Sequence, residues 1–301
     1  MITFPRKLEK GDKIAIVSPA GIPVPEDVRS AADILRKEGW RVEISPNALG
    51  KSGSYSGTAE ERYSDLANAL TDPDVRAILC SRGGYGACHI VDRLDKLPLR
   101  DDPKWIIGFS DISVLHALMV NNGIASIHAS MAKQIKLGPD NEDNAALFKI
   151  LRGERPTFTF PGTVNDHLGT VDGQLIGGNF IVLMQLIHTK YNLFKEDTIL
   201  FVEEVDEDIY TVERMMHHLR LSGILGKLKG IVFGQFTGYK ADRNHNTMEE
   251  MLRDIVAPYN YPIAFSAPIG HVDHNIPVIE GAHITLKVTA NEQNHIIYWN
   301  N

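Results

Sequence analysis

Short unbroken apolar runs alternate with stretches of helical period over the first part of the chain. "KIAIVSPAG" (13–21) predicts a buried strand closed by Pro19, Ala20 and Gly21. "PEDVRSAADILRKEGW" then places Val28, Ala31, Ala32 and Leu35 on one helical face, with Gly39 as the stop. "RVEISP" reads as a short strand, and "TAEERYSDLANAL" opens on a capping box of Thr58 and Glu61 ahead of an apolar helical face. "VRAILC" predicts another strand, ended by the glycine-rich "SRGGYGA". "WIIGF" predicts a further one, followed by a helix beginning near Asp111. Such alternation builds a mostly parallel sheet with helices on its faces, and ligands bind beyond the carboxyl ends of its strands. Both "SRGGYGA" and "GFSD" fall at such ends.

The pattern weakens over residues 137–170, where "KLGPDNEDN" and "RGERPTFTFPGTVNDHLG" leave room for one short helix near 145–151. Periodicity returns with "GQLIGGNFIVLMQLI". After it come a strand "TILFVE", a helix "YTVERMMHHLRLSGIL", a strand "GIVFGQF" and an alternating hairpin "HITLKVTANEQNHIIYWN" with a polar turn. The expected organisation is a domain over 1–136, a connection over 137–170 and a second domain over 171–301. The fold class is α/β. The first domain is a flavodoxin-like or Rossmann-like parallel sheet flanked by helices. The second is an α/β domain with a mixed sheet or small β-barrel.

Composition narrows the function classes. With 43% hydrophobic and 23% charged residues, the 301-residue chain is of globular type. A net charge of −7 offers no footprint for a nucleic-acid backbone or an anionic membrane surface. No apolar run approaches membrane-spanning length, and the early charges of "MITFPRKLEKGDK" do not suit a secretory signal. Cys80 and Cys88 form no C-x-x-C pair. A reduced, cytoplasmic protein is expected, with no nucleic-acid or membrane partner.

Four stretches could carry chemistry. In "GFSD", Ser110 is either a helix cap or the nucleophile of a strand-to-helix elbow. The elbow pattern G-x-S-x-G fails at its last glycine, where Ile112 stands. In "VEEVDEDIY", residues 203–208 hold five carboxylates. Glu203 sits at the strand end, and Glu204, Asp206, Glu207 and Asp208 read as a solvated loop. A hard-cation site is the other reading, although the spacing is not that of an EF-hand. "PIGHVDHNIPVIEG" offers His271 as a loop general base; with His274 three residues on, it does not match a zinc helix. "SRGGYGA" matches no phosphate-loop or dinucleotide fingerprint, yet Gly83 and Gly84 let backbone N–H groups approach an anion. Arg82 could hold a substrate carboxylate or serve a structural ion pair.

In order along the chain, "LEKGDKIAIVSPAG", "SRGGYGA", "IIGFSDIS", "GQLIGGNF", "LFVEEVDEDIYTVERMM" and "PIGHVDHNIPVIEGA" resemble the LD-carboxypeptidase family of bacterial cell-wall recycling. The resemblance implies a cofactor-free, metal-free serine peptidase with a Ser110–His271–Glu203 triad. Backbone N–H groups of Asp111 and Gly84 would form the oxyanion hole. It implies an active site between the two domains, a homodimer, and a small peptide substrate, a murein tetrapeptide losing its terminal D-alanine. The chain departs from the family pattern at His89 (arginine expected), Glu213–Arg214 (Asp-Arg) and His188–Thr189 (Gly-Thr). Three other functions compete: a microcin C immunity-type hydrolase of peptide–nucleotide or aminoacyl-sulfamoyl-adenylate amides, a non-catalytic murein-peptide binder, and a nucleotide-binding enzyme.

Overall fold

Apolar runs become the inner strands of a sheet, and the helices between them bury one stripe each. The structure is a computed structural model that describes residues 2–289 and 293–299. Contacts divide the chain into two units, Met1–Glu154 with Ile276–Gly281, and Arg155–Asn275 with Ala282–Asn301.

In the first unit the chain runs β1 (Lys13–Val17), α1 (Pro25–Lys37), β2 (Arg41–Ile44), α2 (Ala59–Thr71), β3 (Val75–Cys80), α3 (Val91–Leu94) and β4 (Trp105–Gly108). It continues as α4 (Ser113–Asn121), β5 (Ser126–His128), α5 (Ala132–Ile135) and α6 (Glu142–Leu151). A late segment, β11 (Val278–Glu280), returns to this unit. The sheet order is β11-β5-β4-β3-β1-β2, parallel except for β11, which runs antiparallel to β5. The α1 helix starts with Pro25 in its first turn and buries Val28, Ala31, Ala32 and Leu35. The α2 capping box is present. Thr58 Oγ1 accepts from the Glu61 N–H at 3.2 Å, and Glu61 Oε2 accepts from the Thr58 N–H at 2.8 Å.

The second unit holds β6 (Thr157–Pro161), β7 (Gly169–Asn179), α7 (Phe180–Leu186), β8 (Thr198–Val205), α8 (Ile209–Leu221), β9 (Gly230–Thr237), α9 (Met248–Val256) and β10 (Ile263–Ala264). It ends with β12 (His283–Val288) and β13 (Gln293–Tyr298). The order β10-β9-β8-β7-β12-β13-β6 is a mixed sheet: β7 to β10 are parallel, and β12, β13 and β6 follow antiparallel. Of the two expected forms, the sheet rather than a barrel is built. The hairpin of β12 and β13 is present; its expected turn, residues 290–292, lies outside the described residues.

Residues 137–170, read as a connection, contribute α6 to the first unit and β6 to the second, the division falling between Glu154 and Arg155. Among the described residues no helix is long and apolar enough to cross a membrane.

Candidate active site

In the first unit the chain leaves β4 through Gly108 and Phe109, and Ser110 takes a left-handed φ of 67°. A serine held there costs about 1 to 3 kcal/mol relative to ordinary backbone. Ser110–Ile112 form a single tight turn, and α4 begins only at Ser113. No side chain caps either element, so capping does not account for Ser110. The turn is held from beneath. The Gly108 carbonyl accepts from His116 Nε2 at 2.8 Å and from the Ala129 N–H at 3.1 Å. Complete burial lowers the His116 pKa to about 4, the Gly108 bond only partly opposing it. The ring is therefore neutral near pH 7. Nε2 carries the proton, because a carbonyl can only accept, and Nδ1 accepts from Ser126 Oγ at 2.9 Å.

The glycine loop after β3 lies directly against this turn. A Cβ built on Gly83 would stand 2.8 Å from Ser110 Cβ and 3.0 Å from its Oγ, so only glycine permits the approach. The Gly83 carbonyl accepts from the Gly21 N–H at 2.9 Å. Asp111 is buried, and its Oδ2 accepts from the Ala87 N–H at 2.9 Å. Arg82 is exposed and donates Nη1 to the Ile22 carbonyl at 2.8 Å; among the described residues it makes no ion pair. It lines a cleft of about 540 Å³ with Ile22, Ser54, Tyr55, Gly84 and Tyr85.

The second unit assembles a carboxylate–imidazole pair. The β8–β9 register shifts between Val202 and Glu204, where Gly234 and Gln235 of β9 stand against the single residue Glu203 near the end of β8. Glu203 is fully buried, and its Oε2 accepts from His271 Nδ1 at 2.8 Å. Gly270 holds φ 125°, and a Cβ there would lie 2.7 Å from the same oxygen. The glycine before the histidine is thus what lets the loop close on Glu203. Asn275 Oδ1 fixes it by accepting from the Gly270 N–H at 2.9 Å. Burial alone would lower the His271 pKa. The Glu203 hydrogen bond, with the charges of Glu203, Glu204 and Asp206, outweighs it and raises the pKa above 6.5.

The acidic segment differs from the expected solvated loop at Glu204, which is 3% exposed. Its Oε1 accepts from Asn179 Nδ2 and the Val205 N–H, both at 2.9 Å, and its Oε2 accepts from the Ile181 N–H at 2.7 Å. It ties β8 to the start of α7. Asp206 and Asp208 are exposed and Glu207 is half-buried, while His274 lies exposed in the His271 loop. Among the described residues no group of three or more His, Cys, Asp or Glu is arranged to hold a metal ion.

The structure therefore brings Ser110, Asp111 and Gly83 together in one unit, and Glu203 with His271 in the other. Two contributors had no place in the sequence reading, the Asp111 carboxylate and Arg62. Arg62 stands in the Leu66 and Ala69 stripe of α2 and is buried with it, a polar exception on an apolar face that was visible in the spacing.

Comparison with known proteins agrees over both units. Residues 14–129 match the LD-carboxypeptidase N-terminal domain, and residues 172–286 the LD-carboxypeptidase C-terminal domain. A putative carboxypeptidase of Synechocystis sp. is 32% identical over 89% of this chain and 88% of its own. A probable murein peptide carboxypeptidase of Bacillus subtilis is 29% identical over 92% and 89%. The crystal structure of muramoyltetrapeptide carboxypeptidase from Oxalobacter formigenes superposes with a TM-score of 0.86 at 25% identity, covering 96% of this chain and 100% of that one. The chain belongs to the LD-carboxypeptidase family of peptidases.

Proposed function

We propose that this protein is a serine carboxypeptidase that releases terminal D-alanine from murein tetrapeptides by hydrolysing the L,D-amide. Residues 1–136 supply the nucleophile and residues 171–301 the base. The observation that carries the reading is the buried Glu203 carboxylate bonded to His271 Nδ1 at 2.8 Å. With Nδ1 engaged by the carboxylate, Nε2 is the ring nitrogen assigned as base, and the carboxylate stabilises the imidazolium that forms when it takes a proton.

Ser110 Oγ attacks the amide carbonyl carbon as His271 Nε2 accepts the hydroxyl proton. The tetrahedral oxyanion receives the N–H groups of Asp111 and Gly84. Collapse breaks the C–N bond, and His271 returns its proton to the amine of the departing D-alanine. Water, deprotonated by the same imidazole, then hydrolyses the acyl-serine and restores the hydroxyl. Turnover requires Ser110 Oγ and His271 Nε2 to come within hydrogen-bond reach, and no step calls for a metal or cofactor. Arg82, exposed in the cleft beside Tyr55 and Tyr85, is suited to the terminal carboxylate of the peptide. The family resemblance adds a homodimer, and the early charges and few cysteines of the sequence a cytoplasmic location.

The test is Ser110→Ala with a murein tetrapeptide as substrate. D-Alanine release is expected to fall by about a million-fold in kcat, as when the nucleophile of a serine protease is removed. Thermal stability is expected to stay within about 0.5 kcal/mol, because the side chain caps nothing. Persistent turnover would remove Ser110 from the mechanism. Aminoacyl-sulfamoyl-adenylate, offered in the same assay, separates the peptidase from the microcin-type hydrolase.

A further inference from the structure

The glycine loop beside Ser110 turns through Gly84 and Gly86, at φ values of 103° and 133°, on either side of Tyr85, whose ring packs against Tyr55 and His89. The backbone of its second half is held by two buried side chains. Asp111 Oδ2 accepts from the Ala87 N–H at 2.9 Å, and the Gly86 N–H also bonds to the carboxylate. From the carbonyl end, Arg62 Nη1 donates to Gly86 at 2.7 Å and to Pro19 at 2.8 Å, and Nε donates to Gly57 at 3.1 Å. Arg62 Nη2 reaches His89 Nδ1 at 3.1 Å; a guanidinium only donates, so that nitrogen accepts.

We propose that the Asp111 side chain is a positioning residue that clamps the glycine loop to the turn bearing Ser110, and so aims the N–H groups that receive the oxyanion. The inference rests on the peptidase reading and deepens it. Asp111 adjoins Ser110 in sequence, so the carboxylate and the hydroxyl share one tight turn, and pulling on one end of the clamp moves the other. Protonation turns one oxygen into a donor and removes the charge that strengthens both N–H bonds, so it weakens the grip.

The groups facing this carboxylate are Arg62 from α2, Cys80 from β3 and Tyr85 from the loop itself. Burial pushes the Asp111 pKa up to about 6, against the pull of the Ala87 N–H, the Arg62 charge and the Gly86 N–H. Because this lies above the ordinary 3.8, the group's contribution to stability is fully present below 3.8 and is lost as pH rises through about 6. Near pH 8 the ionised clamp therefore costs stability while serving the loop. A merely structural aspartate would do the reverse.

The experiment compares wild type with Asp111→Asn, which keeps one acceptor oxygen and removes the charge. At pH 8 kcat for D-alanine release is expected to fall about tenfold to a hundredfold, a partial loss of an oxyanion donor, with KM within about twofold. The melting temperature is expected to hold or rise. The acid limb of kcat/KM, expected to steepen to two protons below about pH 6 in wild type as His271 and Asp111 both titrate, becomes one-proton in the variant. Backbone amide exchange over 83–87, corrected for intrinsic rate, gives a readout independent of activity. Protection in wild type is expected to drop as pH falls through about 6. Unchanged kcat with a one-proton limb in wild type, or protection that ignores pH, overturns the clamp. If wild type releases no D-alanine, the peptidase reading fails separately, and exchange alone decides the clamp.

Discussion

The turn at Ser110 and the Glu203–His271 pair reach precision by opposite means. The turn is a backbone device: a serine at φ 67° between a glycine-ended strand and a short tight turn, with Gly83 pressed against it. The pair is a side-chain device: a fully buried carboxylate near the end of β8 is met by one imidazole at 2.8 Å. Strain in the first is stored in a conformation that serine adopts reluctantly. Energy in the second is electrostatic, a charge kept in the interior by a charge-assisted hydrogen bond. The two should therefore respond differently to substitution. On the proposed mechanism, chemistry depends on side-chain identity at the pair, and on the absence of a side chain at the glycines of the turn.

The largest contrast is expected at Glu203→Gln. The shape survives but the imidazolium loses its counter-charge, and kcat is expected to fall by about 10⁴-fold, the loss known for the equivalent change in a serine triad. The acid limb of kcat/KM also moves to lower pH, because the Glu203 charge and its charged hydrogen bond no longer raise the His271 pKa, while burial still lowers it against Glu204 and Asp206 alone. A pH–rate profile checks both; a limb that stays in place would detach Glu203 from the imidazole.

Next is Gly83→Ala. The added methyl must displace Ser110 or the loop, and a loss of about 10² to 10³-fold in kcat is expected, comparable to removal of an oxyanion donor. Wild-type kcat would show that the turn tolerates movement. The smallest effect is thermodynamic. Ser110→Gly abolishes turnover yet is expected to stabilise the fold by about 0.5 to 1 kcal/mol in denaturant melts, since glycine takes φ 67° without strain. Destabilisation would mean that the serine has a structural partner after all.

Much of this organisation was legible in the sequence, because the inner strands of the first unit are buried throughout and show as unbroken apolar runs, while α1 and α2 bury one face and show it in their period. What escaped depends on distant pairing or on burial without a stripe. The β5 strand has only three residues, and its partner β11 arrives some 150 residues later, so no local pattern marks the pair. The α4 helix, expected from near Asp111, buries eight of its nine residues, so its presence was legible but no single buried face was. By contrast α9 was overlooked although its capping box, Thr247 with Glu250, stands in plain view. At the site, the order of motifs pointed to Ser110, Glu203 and His271. The elbow at Ser110 was one of two readings of "GFSD", while the β9 irregularity opposite Glu203 depends on the pairing of two separate strands and left no local mark.

The central claim, that a strained serine and a buried carboxylate–imidazole pair act on one bond, is tested most directly by a double-mutant cycle on kcat with Ser110→Ala and His271→Ala. Residues that act as a unit are non-additive, so the double variant is expected to be as slow as either single one. Losses that multiply in the double variant would show two independent contributions and contradict the account.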